Sequence, residues 1–271
     1  MSVRIVVSGA TGWVGKALVV AIAQAPDLVL AGAVSRSAAG RDAGEAAGIG
    51  AIGVPVSASL EEALAAPSDV VIDYTRPDIV KANTLAALAA GRHVVVGTSG
   101  LGAADYEEID AAARAASLGV LAAGNFSITA TLMIKFALMA APYVADVEII
   151  DYAKGAKPDT PSGTARELAE RLAEIRRPST AMPVSDLGGV RETRGGTIGA
   201  PNPVQVHSVR MPSFVLSCEA LFGADNERLL IRHDSGPSAG PYVAGTLLAA
   251  RKVSGFVGLR RGLDTVMEGL S

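Results

Sequence analysis

The sequence contains few cysteines, histidines and aromatic residues, and their scarcity limits the bonds, metal sites and core that the chain can form. Cys218 is the only cysteine in 271 residues, so an intramolecular disulfide and a cysteine metal cluster are both ruled out. The three histidines, His93, His207 and His233, are far apart in the chain, which argues against zinc, and we predict no metal. Aromatic residues make up 4% of a chain that is 49% hydrophobic. Such a core of Ala, Val, Leu and Ile is typical of parallel strands covered by helices.

Neither sign of charge is in large excess. The chain has 24 Lys and Arg against 27 Asp and Glu, a net charge of -3, so no general attraction to nucleic acid or to an anionic membrane is expected. The longest charge-free stretch, residues 115–134, contains Gly, Ser, Asn and Thr, which indicates strand, loop and helix start rather than a membrane span. The amino terminus has no secretory signal pattern, so we expect a cytoplasmic protein.

The first part of the chain alternates between short apolar runs and Ala-rich helical patterns. Strands are predicted at 4–7, 29–34, 70–73, 93–96 and 119–122, and helices at 12–25, 77–90 and 103–116. This alternation predicts an α/β fold with a Rossmann-like, doubly wound parallel sheet. Right-handed crossovers place the carboxyl ends of the strands along one edge, where ligands bind.

Beyond about residue 144 the pattern changes. A strand at 146–152 leads through a polar segment into a helix with apolar residues at 165, 168, 169, 172 and 173, the spacing of one helical face. Strand-like runs at 204–209, 214–221 and 229–233 follow without helices between them, and a helix at 241–253 and a short tail end the chain. We predict a dinucleotide-binding domain of residues 1–124 and 238–271, interrupted by an α+β domain of residues 125–237 with a mixed or antiparallel sheet.

Three glycines follow the first strand with the spacing G-x-x-G-x-x-G. Gly9 allows a tight turn, Gly12 lets the backbone approach a pyrophosphate, and Gly15 permits close contact between helix and strand. The helix that follows supplies unpaired N–H groups for the anion. The strand-turn-helix context predicts a dinucleotide site.

The end of the second strand bears on the choice of cofactor. A carboxylate is usual there for a ribose 2′-hydroxyl, but this chain reads Ser35-Arg36-Ser37. Hydroxyls and a guanidinium suit a 2′-phosphate, so we predict a preference for NADPH, with NADH as the alternative.

A second motif runs from Lys157 to Ala165. Its Ser162 or Thr164 is suited to cap a helix, with Glu167 completing a capping box in the second case, and Gly163 leaves the backbone open. A helix start beside hydroxyls and a lysine forms an anion pocket suited to a substrate carboxylate.

With these motifs the chain resembles the 4-hydroxy-tetrahydrodipicolinate (dihydrodipicolinate) reductase family over almost its whole length. The matching segments are residues 9–15, 73–77, 97–100, 123–127, 157–165, 207–210 and 231–235. The resemblance implies NAD(P)H-dependent reduction of a cyclic unsaturated dicarboxylate in lysine biosynthesis. It implies that the cofactor is held by Gly9, Ala10, Thr11, Gly12, Trp13, Val14, Ser35, Arg36, Thr75, Gly97, Thr98, Ser99, Ala123, Gly124, Asn125 and Phe126.

The resemblance also implies that the middle domain binds the dicarboxylate through Lys157, Ser162, Gly163 and Thr164 and assembles a homotetramer. In such enzymes hydride goes to the substrate ring and a proton to the adjacent position. We expect Lys157 to donate that proton or to stabilise developing negative charge. Arg210 and Arg232 are candidate carboxylate partners, although ordinary strand-face charges or interface residues explain them more simply.

The match fails just ahead of Lys157, where the family has Glu, any residue, His, His, two residues and Lys. Here Ala153 replaces the usual acid/base histidine, and Lys154 replaces a substrate-contacting one. Three interpretations remain open. The chain performs the family reaction with Lys157 or Lys154 supplying the proton; it is refitted for another carboxylated imine or enamine; or it is a non-catalytic, cofactor-binding regulatory protein.

Overall fold

A computed structural model of the chain describes residues 2–157, 159–182, 186, 188–189 and 196–267. The chain divides into two compact units. One contains the residues up to Ile128 together with those from Ala239 onward, and the other contains Thr129–Ser238. The second unit is therefore inserted into the sequence of the first.

The first unit is built on a seven-stranded sheet in the order β12-β6-β5-β4-β1-β2-β3, and every neighbouring pair is parallel. Its strands are β1 (Val3–Ser8), β2 (Leu28–Val34), β3 (Val56–Ser57), β4 (Val70–Asp73), β5 (His93–Val96), β6 (Gly119–Ala122) and β12 (Gly258–Arg261). Its helices are α1 (Trp13–Gln24), α2 (Ala43–Ala47), α3 (Leu60–Leu64), α4 (Val80–Ala89), α5 (Ala103–Ala115) and α8 (Gly240–Lys252).

Helices cover this sheet on both faces. Alternate residues of β1 show it: Ile5 and Val7 pack with Leu18 of α1 in one core cluster, while Val6 packs with Val80 and Ile109 in another. Strands buried on both faces need nearly continuous apolar sequence, which is what the short Val- and Ile-rich runs provide. The predicted doubly wound parallel sheet is confirmed.

Several predicted boundaries were wrong. The supposed tail contains β12, which pairs in parallel with β6 from Gly258 to Arg261; only four residues long, this edge strand has no apolar alternation to reveal it. Helix α4 begins at Val80 rather than at residue 77, because the N–H groups of Ile79 and Val80 first form a turn on Arg76 O. The short elements β3, α2 and α3 were missed, since two to five residues show no periodicity.

The second unit contains a five-stranded mixed sheet in the order β11-β10-β7-β9-β8. The strands are β7 (Asp146–Ala153), β8 (Gly196–Ile198), β9 (Val204–Arg210), β10 (Leu216–Ala224) and β11 (Glu227–Ser235), and the helices are α6 (Ile128–Ala140) and α7 (Gly163–Ile175). Only the β7–β9 pair is parallel. This confirms the predicted α+β construction.

The core of the second unit lies between its sheet and its helices. The five predicted apolar positions of α7 are fully buried there, together with Ile149, Cys218 and Phe222 from the sheet. Strand β10 starts two residues later than predicted, after a turn in which Ser213 has φ +75°.

Within the described residues, no helix combines the length and the apolar character needed to cross a membrane. The charge-free stretch 115–134 contains the last residue of α5, all of β6 and the start of α6.

Candidate functional site

The turn after β1 requires glycine for steric reasons. Gly9 has φ +84°, and a Cβ there would lie 2.3 Å from the carbonyl oxygen of Tyr74. A Cβ on Gly15 would lie 2.0 Å from the carbonyl oxygen of Gly9, so helix and turn are in backbone contact. The N–H of Gly12 closes the turn on Gly9 O at 2.9 Å. The turn therefore has the close approaches expected of a phosphate-binding loop.

Helix α1 begins at Trp13 with Gly12 as its N-cap, and no side chain caps it. The first N–H groups of a helix have no intrahelical acceptor and attract anions. A glycine cap and an uncapped helix start fit the pyrophosphate of a dinucleotide. Trp13 is 54% exposed and contacts the ring of Tyr242 edge-on, with 5.5 Å between ring centroids.

A cavity of about 570 Å³ opens at the end of β2, and Gly9, Ser35, Arg36, Ser37 and Thr75 line part of it. The hydroxyls of Ser35 and Thr11 share a hydrogen bond of 2.6 Å.

Arg36 is exposed, and within the described part of the chain its side chain makes no hydrogen bond or ion pair. The other arginine of this cavity, Arg76, is paired with Asp78 at 2.7 Å. Arg36 is thus the lining cation available to a bound phosphate.

The ring of Tyr74 packs against the loop that follows β5. The ring is partly buried, and a Cβ on Gly97 would lie 2.3 Å from it. Its hydroxyl shares a 2.7 Å hydrogen bond with Thr246, and burial raises its pKa well above the ordinary value. Tyr74 also contacts Phe126, itself buried, edge-on at 6.2 Å. Phe126 is buried as a whole residue, so both rings act as supports that pack beneath these loops.

The remaining predicted cofactor residues lie in or beside the loops at the carboxyl ends of strands of the same sheet. Thr75 and Thr98 both donate to the carboxylate of Asp73, and Asn125 Oδ1 accepts from the N–H of Ser127. Ala10 and Val14 follow β1, Ser99 follows β5, and Ala123 and Gly124 follow β6. The first unit therefore gathers every predicted cofactor residue at one sheet edge.

In the second unit the last residues of the motif, Gly163–Ala165, form the start of α7. The N-cap is Ser162, whose Oγ accepts from the N–H of Ala165 at 3.4 Å. Thr164 lies inside the helix, so the alternative cap at Thr164 was wrong; Glu167 is buried and pairs with Arg171 at 3.2 Å.

A buried carboxylate organises this helix start. Asp151 has no exposed surface. It accepts from the N–H of Ser162 at 2.8 Å, from its hydroxyl at 2.7 Å and from Ser208 at 3.3 Å. Arg210 pairs with the same carboxylate at 2.7 Å and donates to Asp159 O at 2.9 Å. Arg210, whose side chain is 15% exposed, is therefore a structural partner of Asp151 at this helix start.

Lys157 lies in the loop that precedes α7. Its Nζ lies 2.5 Å from Asp159 Oδ1, and its side chain is 25% exposed. Lys154 is exposed and, within the described residues, its side chain has no partner. Ala153 has no exposed surface, so the position that carries the family's histidine lies inside the unit here.

Arg232 also forms ion pairs with neighbouring side chains. It pairs with Asp234 at 2.8 Å and Glu219 at 3.1 Å, and its guanidinium lies 5.0 Å above the ring of Tyr152. The bond from Arg232 lowers the pKa of Asp234 to about 2. Within the described residues, no group of three or more His, Cys, Asp or Glu side chains is placed to hold a metal ion.

Comparison with known proteins gives a consistent result. Two family models match, "dihydrodipicolinate reductase, N-terminus" over residues 3–126 and "dihydrodipicolinate reductase, C-terminus" over residues 129–263. The 4-hydroxy-tetrahydrodipicolinate reductase of Synechococcus elongatus is 39% identical over 98% of both chains. That of Desulfitobacterium hafniense is 37% identical over 98% of this chain and 99% of its own.

A solved structure is also similar. The dipicolinate-bound dihydrodipicolinate reductase from Paenisporosarcina sp. TG-14 has a TM-score of 0.76 and 29% identity, covering 98% of this chain and 100% of that one.

Proposed function

The chain belongs to the dihydrodipicolinate reductase family, and on that premise we propose that it reduces 4-hydroxy-tetrahydrodipicolinate in lysine and diaminopimelate biosynthesis. It is an oxidoreductase that uses a nicotinamide cofactor. The substrate assignment rests above all on the full-length match to relatives that bear this name. We assign cofactor binding to the first unit and dicarboxylate binding to the second.

The cofactor, when bound, supplies the hydride. Gly9, Gly12 and the first turn of α1 hold its pyrophosphate, because no side chain blocks the backbone there. Arg36, with the hydroxyls of Ser35 and Ser37, receives a ribose 2′-phosphate and so favours NADPH over NADH. The loops that follow β4, β5 and β6 bind the rest of the molecule through Thr75, residues 97–99 and residues 123–126.

The dicarboxylate binds at the start of α7. Gly163 and Thr164 contribute the helix end that attracts a carboxylate, and Lys157 contributes a positive charge. Ser162 acts mainly by setting the position of this helix end, since Asp151 occupies both its N–H and its hydroxyl.

Lys157 is the proton donor that we assign. Alanine has no proton to give, so Ala153 leaves the family's usual acid absent, and an ammonium group near the substrate is the remaining candidate. Asp159 holds the Lys157 ammonium in place through their ion pair. Lys154, exposed and without a partner among the described residues, adds a second positive charge in the same loop.

One observation favours a second candidate function. With Ala153 buried and Lys154 exposed where the family has two histidines, the chain differs from the family pattern at two positions just ahead of Lys157. Reduction of another carboxylated imine or enamine is therefore the alternative. A purely regulatory protein is disfavoured, because the glycine turn and the carboxylate-binding segment are both intact.

The deciding experiment is NADPH oxidation by the purified protein with freshly generated 4-hydroxy-tetrahydrodipicolinate. We expect turnover that is lost in Lys157→Ala and retained in Lys135→Ala, a matched change on α6 of the same unit. Tight NADPH binding without turnover would transfer the assignment to another imine or enamine.

The second unit is also where we place assembly into a homotetramer. Helices cover one face of its sheet, while Leu230 and Arg232 on the other face stay exposed. Light scattering after size exclusion tests this, and a monomer would contradict it. A cytoplasmic location accords with a biosynthetic enzyme.

A further inference from the structure

Asp73, the last residue of β4, carries a fully buried carboxylate. Its Oδ1 accepts from the Thr75 N–H at 3.0 Å, the Thr75 hydroxyl at 2.6 Å and the Thr98 hydroxyl at 2.9 Å. Its Oδ2 accepts from the Asn83 amide at 2.8 Å. All four donors are neutral, and in the described part of the chain no cation pairs with Asp73. The carboxylate is therefore bound entirely by dipoles.

The four donor groups come from three segments of the first unit. Thr75 belongs to the loop after β4, Thr98 to the loop after β5, and Asn83 to α4. Asn83 also donates to Ser8 at the end of β1, at 3.3 Å. Asp73, with Asn83 as the link to β1, thus connects three neighbouring strand ends at the edge to which cofactor binding is assigned.

We propose that Asp73 is a positioning residue that holds the loops after β4 and β5 in the arrangement that receives the nicotinamide cofactor. This inference rests on the proposed assignment of those loops to cofactor binding. Each threonine hydroxyl has one hydrogen, and both hydrogens are directed at Asp73. Thr75 and Thr98 therefore offer a ligand their backbone and their oxygen lone pairs, and Asp73 acts through them.

This role requires acceptor atoms at the positions of the Asp73 carboxylate oxygens, and it does not require the negative charge. In Asp73→Asn the amide oxygen replaces Oδ1 and keeps its three donors. The new NH2 group faces Asn83, whose amide turns over to present its oxygen. In Asp73→Ala all four donors lose their acceptor. We expect Asp73→Ala to weaken NADPH binding about 10- to 100-fold, and Asp73→Asn to stay within about 3-fold of the wild type.

Binding is measurable without turnover. Trp13 is the only tryptophan in the chain and begins α1, and NADPH absorbs where tryptophan emits, so titration of its fluorescence gives the Kd. Asp69→Asn is the matched control. Asp69 precedes β4 at its opposite end and pairs with Arg4 at 2.6 Å, so its loss removes an ion pair of the same unit while the Kd for NADPH stays unchanged.

We expect Asp73→Ala to bind NADPH far more weakly than Asp73→Asn, Asp69→Asn and the wild type. In Asp73→Ala the KM for NADPH should rise more than the KM for the dicarboxylate. Wild-type affinity in Asp73→Ala overturns the inference, as does an Asp73→Asn protein as weak as Asp73→Ala. If Asp73→Ala fails to fold, Thr98→Val removes one donor, and we expect about 3- to 10-fold weaker binding; an unchanged Kd overturns the inference. A wild-type protein that binds neither NADPH nor NADH refutes the cofactor assignment itself.

Discussion

Asp151 accepts two hydrogen bonds from Ser162, one from the backbone N–H at 2.8 Å and one from the hydroxyl at 2.7 Å. The residue at the N-cap of α7 is thereby fixed to the end of β7, eleven residues earlier. The helix end proposed to bind the substrate carboxylate is consequently tied directly to the sheet. Arg210 completes the arrangement by neutralising the same carboxylate from β9.

Breaking the Asp151–Arg210 pair from one side is expected to cost much stability. Asp151→Ala leaves the guanidinium of Arg210 largely buried without its partner, which typically costs about 3–5 kcal/mol. Chemical denaturation measures the free energy of unfolding. The double variant Asp151→Ala/Arg210→Met removes both charges and is expected to be more stable than Asp151→Ala alone. A double variant no more stable than Asp151→Ala, or one whose loss equals the sum of the two single losses, would mean that the two charges are not coupled.

The choice of cofactor depends on Arg36. Loss of a charged hydrogen bond to phosphate is worth about 1.5–3 kcal/mol, so Arg36→Ala is expected to lower kcat/KM with NADPH about 10- to 100-fold and to leave NADH almost unaffected. Arg41→Ala, an exposed arginine a few residues later in the chain, is the control. A wild-type preference for NADH would contradict the assignment, and so would equal losses with both cofactors.

The local features of this molecule could be predicted from the sequence, whereas the contacts between residues far apart in the chain could not. The glycine turn and the apolar face of α7 are written in consecutive residues, so spacing reveals them. The bonds of Asp73 to Thr98 and of Asp151 to Arg210 join residues 25 and 59 positions apart. Such pairs depend on which strands are neighbours, and strand order is fixed only when the whole sheet is packed. Asp73 and Asp151 therefore gave no signal as organising residues.

Lys157 can be tested as a source of the proton apart from its charge. Lys157→Ala removes both, and general acid catalysis typically contributes about 10²- to 10⁴-fold. Lys157→Arg keeps the positive charge but holds its proton too tightly to donate it. We expect Lys157→Arg to restore the KM for the dicarboxylate while kcat stays low. Recovery of kcat in Lys157→Arg would show that charge alone is required, and Lys135→Ala again serves as the control.

Stability is expected to fall on mild acidification because of His233. Burial lowers the pKa of His233, against an opposing influence of Asp234. Below the unfolded pKa of about 6.5, the unfolded chain binds the proton more readily than the folded one, so this histidine destabilises the fold as pH falls. His233→Gln is expected to reduce the loss of unfolding free energy between about pH 7.5 and about pH 5.5. An identical loss in the variant would assign the effect to other groups.

Restoring the missing histidine is expected to fail without further changes. Ala153 has no exposed surface, and its neighbours in register are Arg210 of β9 and Leu216 of β10. An imidazole ring there overpacks the core, which typically costs about 1–3 kcal/mol, and it brings a polar group beside the largely buried guanidinium of Arg210. We therefore expect Ala153→His to unfold at a lower temperature than the wild type and to gain no activity. Lys154→His changes an exposed position and is the matched control, expected to keep wild-type stability. A variant Ala153→His that is both stable and more active would show that the second unit still accepts the histidine; the expected result would mean that the packing around Ala153 no longer accepts it.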